Sequence, residues 1–335
     1  DFKAFSVQVE PPVWGTYQEY RIAACGPWCQ GPALLQVLQT LEGLDVAAMG
    51  HNSPDYLHAL MAAVDLAFSD RHYYYGDPEF VEVPLEGLLS RQYAAERRAA
   101  ISMARAFPEM PDPGDPWRHQ KSGRARRPLA RKPVAKEGRR GLDTSYVCAV
   151  DRWGNAFSAT PSDGFGEVPF VPGLGMIISG RGSQTWLEPD HPSALAPWKR
   201  PRLTPNPAIA FRNGRLFMPF GTPGGDSQVQ AMAQLFLNVV AFGMDPQRAI
   251  EEPRAISSNY PGSFWPHAYY PGLMSVEGRI PAETVRELER RGHQVEVWSE
   301  WTTSAGGLCA IAVDQERGVL AGGADPRRDN YCVGR

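Results

Sequence analysis

"GLDTSYVCAVDRWGN", residues 141–155, is the stretch on which the reading of this chain turns. After Thr144 the residues alternate and favour strand: Tyr146, Cys148 and Val150 share one parity, Val147 and Ala149 the other. Asp151–Asn155 reads as a tight turn and Ala156–Thr160 as the returning strand. A hydroxyl residue therefore opens a hairpin expected to be buried on both faces. Just before it runs a loop too basic and Pro-rich to fold by itself. Two readings compete. One is an ordinary core strand with a polar first residue, the simpler choice on this stretch alone. The other is a chain cut at Asp143–Thr144, which makes Thr144 an N-terminal nucleophile.

The 335-residue chain can bury a full core, as one large domain or two ordinary ones. A formal net charge of −3 gives no whole-protein argument for nucleic acid or membrane. No apolar run approaches the roughly 18 residues of a membrane-spanning helix. The sequence opens at Asp1 on strand-like "FSVQVEPP", as a processed or truncated product would, and no targeting signal gives a compartment. Cys25, Cys29, Cys148, Cys309 and Cys332 are odd in number and several lie in apolar runs, which predicts free, mostly buried thiols. Three residues separate Cys25 from Cys29, so this pair does not match a two-residue redox spacing.

Residues 5–25 read as two short strands around Pro11-Pro12 and Gly15. The spacing of Leu34, Leu35, Val37, Leu38 and Leu41 predicts a helix from Pro32 to Gly43. Ser53-Pro54-Asp55 caps a second helix, and "SRQYAAERRAAISMARAF" predicts a third. Between Pro108 and Gly141 the chain is dense in Pro and Gly and carries ten Lys and Arg residues after Trp117. That composition predicts an exposed, mobile linker kept accessible for cutting, with a nucleic-acid or membrane arm as the sharper alternative. "GMIIS" predicts a buried strand, Asn213-Gly214 a hairpin turn, and Pro281–Arg291 a further helix. Hairpins dominate the strands, which argues for antiparallel sheets covered by helices.

The second chemical signal is "FGTPGGDSQ", residues 220–228, where a strand ends, two glycines follow and a helix begins. Backbone amides of Gly224 and Gly225 near a helix N-terminus suit a developing oxyanion. No Lys-Ser/Thr follows, so this is not a phosphate loop. No G-x-S-x-G elbow exists, and the seven His lack paired metal spacing, His51 and His58 included.

Together these segments resemble the γ-glutamyltransferase family of N-terminal-nucleophile hydrolases. The resemblance rests on "DTSYVCAVDRWGNAFSATPSDG", "KRPRLTPNPAIAF", "FGTPGGDSQ", "PAETVRELERRGHQVEV" and "GGADPRRDNYCVGR", with "CQGPALLQVLQTLEG" and "LMAAVDLAFSDRHYYYGDPEF" in the first half. It implies an α+β fold, a four-layer αββα sandwich made jointly by two autocleaved pieces of one precursor. Residues 1–117 would be the end of a large-subunit-like segment, 118–143 the linker, and 144–335 a small-subunit-like segment. The family's large subunit is longer, which implies a further N-terminal portion holding an arginine for the donor carboxylate.

Carried over residue by residue, the resemblance makes Thr144 the nucleophile of catalysis and of autocleavage at Asp143–Thr144. Its freed α-amine, with a reference pKa of roughly 7.7–8.0, would be its own base. Ser162 takes the place of the family's orienting Thr, and Gly224 and Gly225 match the oxyanion glycines. Substrate-binding positions fall on Arg181, Gln184, Asp163 and Thr204. There the chain departs from the family. Gln184 replaces the Asp that holds the donor's α-ammonium, and Leu203 and Thr204 replace the twin serines that bind its carboxylate. The loop from Gln184 to Pro201 also looks shorter than the family's lid.

The expectation is thus an N-terminal-threonine amidohydrolase or acyltransferase acting on a γ-glutamyl or similar acidic acyl amide. Water or an amine is the acceptor, and neither metal nor organic cofactor is called for. The alternatives are a non-glutamyl amidohydrolase of oxamate or glutaryl type and, from another class, an uncleaved binding homologue. Compartment and oligomeric state stay open.

Overall fold

The computed structural model describes residues 2–121, 132–137, 144–163 and 168–334. Asp143, and with it the expected cut, lies outside the described residues, as does most of the basic run.

The first half is helical. Helix α1 (Gly31–Leu41) enters through Gly31-Pro32 and is buried along its whole length. After the single turn α2 (Val46–Met49), helix α3 (Pro54–Tyr74) begins where Ser53 Oγ accepts from Tyr56 N at 3.1 Å. It is buried on every side from Tyr56 to Tyr74, as a central helix must be. A second single turn, α4 (Leu85–Leu88), precedes α5 (Arg91–Ala99). The expected third helix is nine residues long, from Arg91 to Ala99, and stops there because the backbone beyond finds other partners. Ala106 N donates to Arg291 O at 2.7 Å, and Phe107 O accepts from Asn259 Nδ2 at 3.3 Å.

Strands β1 (Val13–Tyr17) and β2 (Tyr20–Ala24) edge the main sheet. The hairpin β3 (Val147–Val150) and β4 (Ala156–Ala159) follows, then the two-residue pair β5 (Phe170–Val171) and β6 (Met176–Ile177). Next come β7 (Ala208–Arg212), β8 (Arg215–Gly221), α6 (Ser227–Val240), α7 (Pro246–Glu251) and β9 (Ala255–Ser257). The chain closes with β10 (Leu273–Glu277), α8 (Ala282–Arg290), β11 (Gln294–Trp298), β12 (Cys309–Asp314) and β13 (Val319–Ala324).

The main sheet is antiparallel, in the order β1-β2-β7-β8-β12-β13. Asn213 and Gly214, with φ of 51° and 78°, make the left-handed turn that their sequence signals. Helix α1 packs on β1 and β2, and α6 on β8, while the β3–β4 hairpin lies against β8 and β12. In the smaller sheet β10 and β11 run parallel, joined by the α8 crossover, so the sheets are not antiparallel throughout.

Four further expectations are corrected. Residues 5–12 form no strand: Phe5, Val7 and Val9 are exposed, and the sheet begins only after Pro11-Pro12, which have no N–H to donate. "GMIIS" contributes only two strand residues, and Met176 and Ile178 are exposed. The segment after Pro108 is packed until about residue 119. Trp117 and Met110 are buried, and the carbonyls of Pro111 and Gly114 accept from Ser69 Oγ at 2.6 Å and Tyr74 Oη at 2.7 Å. Finally, the β3–β4 hairpin is not buried on both faces. Val147 is 49% and Phe157 57% exposed, because no further layer covers them among the described residues.

The hairpin is seated on the sheet through Tyr146. A Cβ added at Gly221 would fall 2.2 Å from the Tyr146 ring, which Tyr146 Oη tethers to Ser158 Oγ at 2.8 Å. Gly221→Ala should therefore overpack this junction and cost about 1–3 kcal/mol, read as a lower denaturant midpoint at unchanged slope.

Candidate functional site

Thr144 lies three residues before β3, and Ser162 three beyond β4. The hairpin's pairing continues past its strands, with Ser145 N donating to Pro161 O at 2.9 Å. That brings the two half-buried hydroxyls together, Thr144 Oγ1 and Ser162 Oγ being 2.7 Å apart. Ser162 O accepts from Arg181 Nε at 2.8 Å, and exposed Asp163 accepts from Gly180 N at 3.2 Å. Both contacts anchor the short 3-10 turn Gly180–Gln184, whose start is capped by Ser179 Oγ. The Arg181 guanidinium lies over the Phe264 ring, 5.3 Å from its centroid.

Gln184, at the far end of that turn, is fully buried and donates to Thr204 Oγ1 at 3.3 Å. Its Oε1 has no hydrogen-bond partner among the described residues. Thr204 O in turn accepts from Gln30 Nε2 at 2.7 Å, and the same amide nitrogen donates to Gly225 O at 2.9 Å. Hydrogen bonds and the backbone of the Gly180–Gln184 turn thus tie Thr144 to the glycine turn through Ser162, Arg181, Gln184, Thr204 and Gln30. Seven of the eight expected substrate and catalytic residues stand in it or flank it directly, and Asp163 joins through Gly180.

Gly224 and Gly225 have φ of 125° and 57°, a left-handed pair that side chains disfavour. Pro223 O accepts from Thr222 Oγ1 at 2.8 Å, and Gly224 O from Ser227 N at 3.0 Å. A trans peptide points its N–H opposite its carbonyl, so the Gly224 and Gly225 amides face away from the turn. Neither donates to any described residue. Among the described residues, two amides without an acceptor therefore stand at the N-terminus of α6. Beside Gly224 opens a small cleft of about 70 Å³, lined among others by Asp226, Ser258, Phe264 and Tyr270. Thr144, Ser162, Arg181 and Gln184 do not line it.

Sequence reading missed what holds this turn. Gln30 Oε1 accepts from Arg71 Nη1 at 2.8 Å, and Arg71 also pairs with Asp226. Asp226 accepts from Ser263 N at 2.7 Å and from Ser263 Oγ at 2.6 Å. Burial pushes the Asp226 carboxyl up, but the Arg71 charge and the Ser263 hydrogen bonds outweigh it and hold it below the usual carboxylate range. Asp226 therefore stays ionised. The only sequence signal was Gly31, where a Cβ would fall 2.1 Å from Cys25 O, so the residue before it is tightly placed.

The histidines are less scattered than their spacing suggests. Trp186 is stacked between His191 and His267, with centroids 4.2 and 3.9 Å away, and His72 meets its edge. Burial, then the neighbouring His72 and Arg202, hold His191 well below its ordinary pKa, so this is neutral packing. Among the described residues no group of three or more His, Cys, Asp or Glu is disposed to hold a metal. The cysteines are free thiols; Cys29 is buried and Cys332 exposed.

Comparison with known proteins gives this geometry a family. The gamma-glutamyltranspeptidase family model matches residues 1–334. The chain is 34% identical over 336 residues to the glutathione hydrolase-like YwrD proenzyme of Bacillus subtilis, covering 100% of this chain and 58% of that protein. It is 31% identical to the acylase ACY 1 proenzyme of a Pseudomonas species, covering 99% of this chain and 53% of that one. The crystal structure of a cephalosporin acylase from Bacillus halodurans superposes with a TM-score of 0.78 at 31% identity, over 96% of this chain and 52% of that one. The chain spans little more than half the length of these relatives. A family match over nearly every residue, on a mixed fold of helices and largely antiparallel sheets, leads to one conclusion: the chain belongs to the gamma-glutamyltranspeptidase family of hydrolases and acylases.

Proposed function

We propose that this protein is an N-terminal-threonine amidohydrolase or acyltransferase, released by autocleavage at Asp143–Thr144, that acts on an acidic acyl amide. The observation that carries the reading is the Thr144–Ser162 hydroxyl pair, joined by hydrogen bonds and the backbone of the Gly180–Gln184 turn to a glycine turn whose two amides donate to no described residue. In this reading the freed α-amine takes the Thr144 hydroxyl proton as Oγ1 attacks the amide carbonyl. The Gly224 and Gly225 N–H groups receive the developing oxyanion. The amine leaves with the proton, and water or a second amine then releases the acyl group. Ser162 holds Oγ1 in line. No metal or organic cofactor enters these steps.

The acyl end is read by Arg181, Gln184 and Thr204, with Asp163 supporting the turn. An ammonium here would meet neutral Gln184 rather than a carboxylate, while Arg181 offers a cation to an acyl carboxylate. The reading therefore favours a dicarboxylic acyl group without an α-ammonium, of glutaryl type, over γ-glutamyl. An acylase among the structural relatives supports this choice. The four-layer αββα sandwich belongs to the same reading: helices, main sheet and hairpin supply three layers, and exposed Val147 and Phe157 face the fourth.

Denaturing mass spectrometry tests the nucleophile. The wild type should give two pieces that separate before Thr144, and Thr144→Ala one uncut chain without activity. A wild type that stays uncut on prolonged incubation would instead support a non-catalytic homologue. For the cleaved enzyme, kcat/KM should rise with pH and level off above the α-amine pKa, reference value about 7.7–8.0, because only the neutral amine accepts a proton. A flat profile from pH 6 to 9 speaks against that base. Gln184→Asp should improve γ-glutamyl anilide relative to glutaryl anilide by about 10–100-fold, since a charge-assisted bond to an ammonium contributes about 1.5–3 kcal/mol. A wild type that already prefers the γ-glutamyl anilide refutes the glutaryl assignment.

A further inference from the structure

The two glycines that present the vacant amides are also the least constrained residues of the site. Consecutive glycines in left-handed conformations have several alternatives of similar energy, so a defined amide direction must be imposed from outside. The bonds from Ser227 N to Gly224 O, at 3.0 Å, and from Gln228 N to Gly225 O, at 3.3 Å, come from the helix that the turn itself begins. They would move with it. The Gln30 Nε2 contact to Gly225 O, at 2.9 Å, comes from a different part of the fold.

We propose that Gln30, locked by Arg71, is a positioning residue that fixes the direction of the Gly224 and Gly225 amides. This rests on the reading of Thr144 as nucleophile. Gln30 is fully buried and its polar capacity is committed: Oε1 to Arg71, and the two Nε2 hydrogens to Thr204 O and Gly225 O. Arg71 projects from the central helix α3 and is itself held, bonded to Ser263 Oγ at 3.2 Å and Pro261 O at 3.4 Å, with its guanidinium 4.0 Å from the Phe68 ring centroid. The same guanidinium pairs with Asp226. Gly225 is thus gripped on its carbonyl through Gln30 and at its next residue through Asp226, from one fixed cation. Gln30 and Arg71 are both fully buried and bonded to protein partners, so both act through the turn rather than on substrate.

Arg71→Ala would leave partly buried Asp226 without its cation and would report on folding rather than on the turn. The informative variants are Gln30→Met, which keeps the volume, and Gln30→Glu, which keeps an acceptor for Arg71 and loses the donor to Gly225. Hydrolysis of glutaryl and γ-glutamyl anilides is followed in the intact protein, with binding of 4-boronobutanoate, which forms a tetrahedral adduct on a threonine hydroxyl, and of glutarate. In both variants kcat should fall about 10–100-fold, against the about 10²–10³-fold known for deleting an oxyanion donor. Boronate affinity should fall in parallel, while glutarate affinity and KM change less than about threefold. Near-UV circular dichroism confirms a native core. Unchanged kcat and boronate affinity, or equal loss of boronate and glutarate affinity, overturns the clasp while leaving the nucleophile standing. A wild type that neither hydrolyses the anilides nor captures the boronate on Thr144 overturns both.

Discussion

Arg71, fully buried, and Asp226, partly buried at the edge of the cleft, form the ion pair around which this part of the molecule is arranged. Burying two charges costs several kcal/mol each, and their attraction returns little net stability unless every remaining valence is met. Here Gln30, Ser263 and Pro261 meet most of them, and Arg71 Nε has no partner among the described residues. A second buried guanidinium, Arg202, shares Ser263 Oγ at 3.2 Å, so two cations stand against one carboxylate. Burial and the like charge of Arg71 lower the Arg202 pKa to about 9, while Asp226 opposes that shift. What such a cluster contributes is register. It ties α3 to the N-terminus of α6 and to the 261–263 segment, and through Gln30 to the start of α1.

That arrangement explains which parts of the site were legible in the sequence. Thr144, its hairpin, Gly224 and Gly225 are local signals: a strand with its turn, and a glycine pair before a helix. Ser162 lies 18 residues from Thr144 and is brought to it by a hairpin that the sequence also announces. Gln30 carries no such mark. Its partners are 174 and 195 residues away, and nothing periodic or compositional links them. Arg71 lies near the end of α3 and reaches Asp226 across 155 residues.

The fold was misread where composition stood in for hydrogen-bond accounting. A Pro-rich segment has few donors, but its carbonyls are good acceptors, so residues 108–119 could be drawn onto α3 by Ser69 and Tyr74. The helical pattern past Ala99 yielded for the same reason, since Ala106 found a carbonyl on Arg291. The hairpin was misjudged differently. Apolar residues on both parities predict burial on both faces, and Phe157 and Val147 are nonetheless exposed among the described residues. The pattern records a face suited to burial; it does not say what buries it.

In the proposed reading, the machinery and the acyl-reading groups are carried by different kinds of structure. The vacant amides are backbone, set by a glycine turn between a central strand and a buried helix, and anchored on α3. Changing them means changing the core. Arg181 and Gln184 sit on one five-residue 3-10 turn, held by Ser162, Asp163 and Thr204. A carboxylate at position 184 would alter the charge met by the acyl group and disturb a single hydrogen bond to Thr204. Under that proposal, a fold built this way can change the acyl group it accepts through substitutions in that turn, while the glycine turn and its buried cation stay as they are. The departures proposed at Gln184 and Thr204, beside Thr144, Ser162, Gly224 and Gly225, are the pattern such a division of labour would produce.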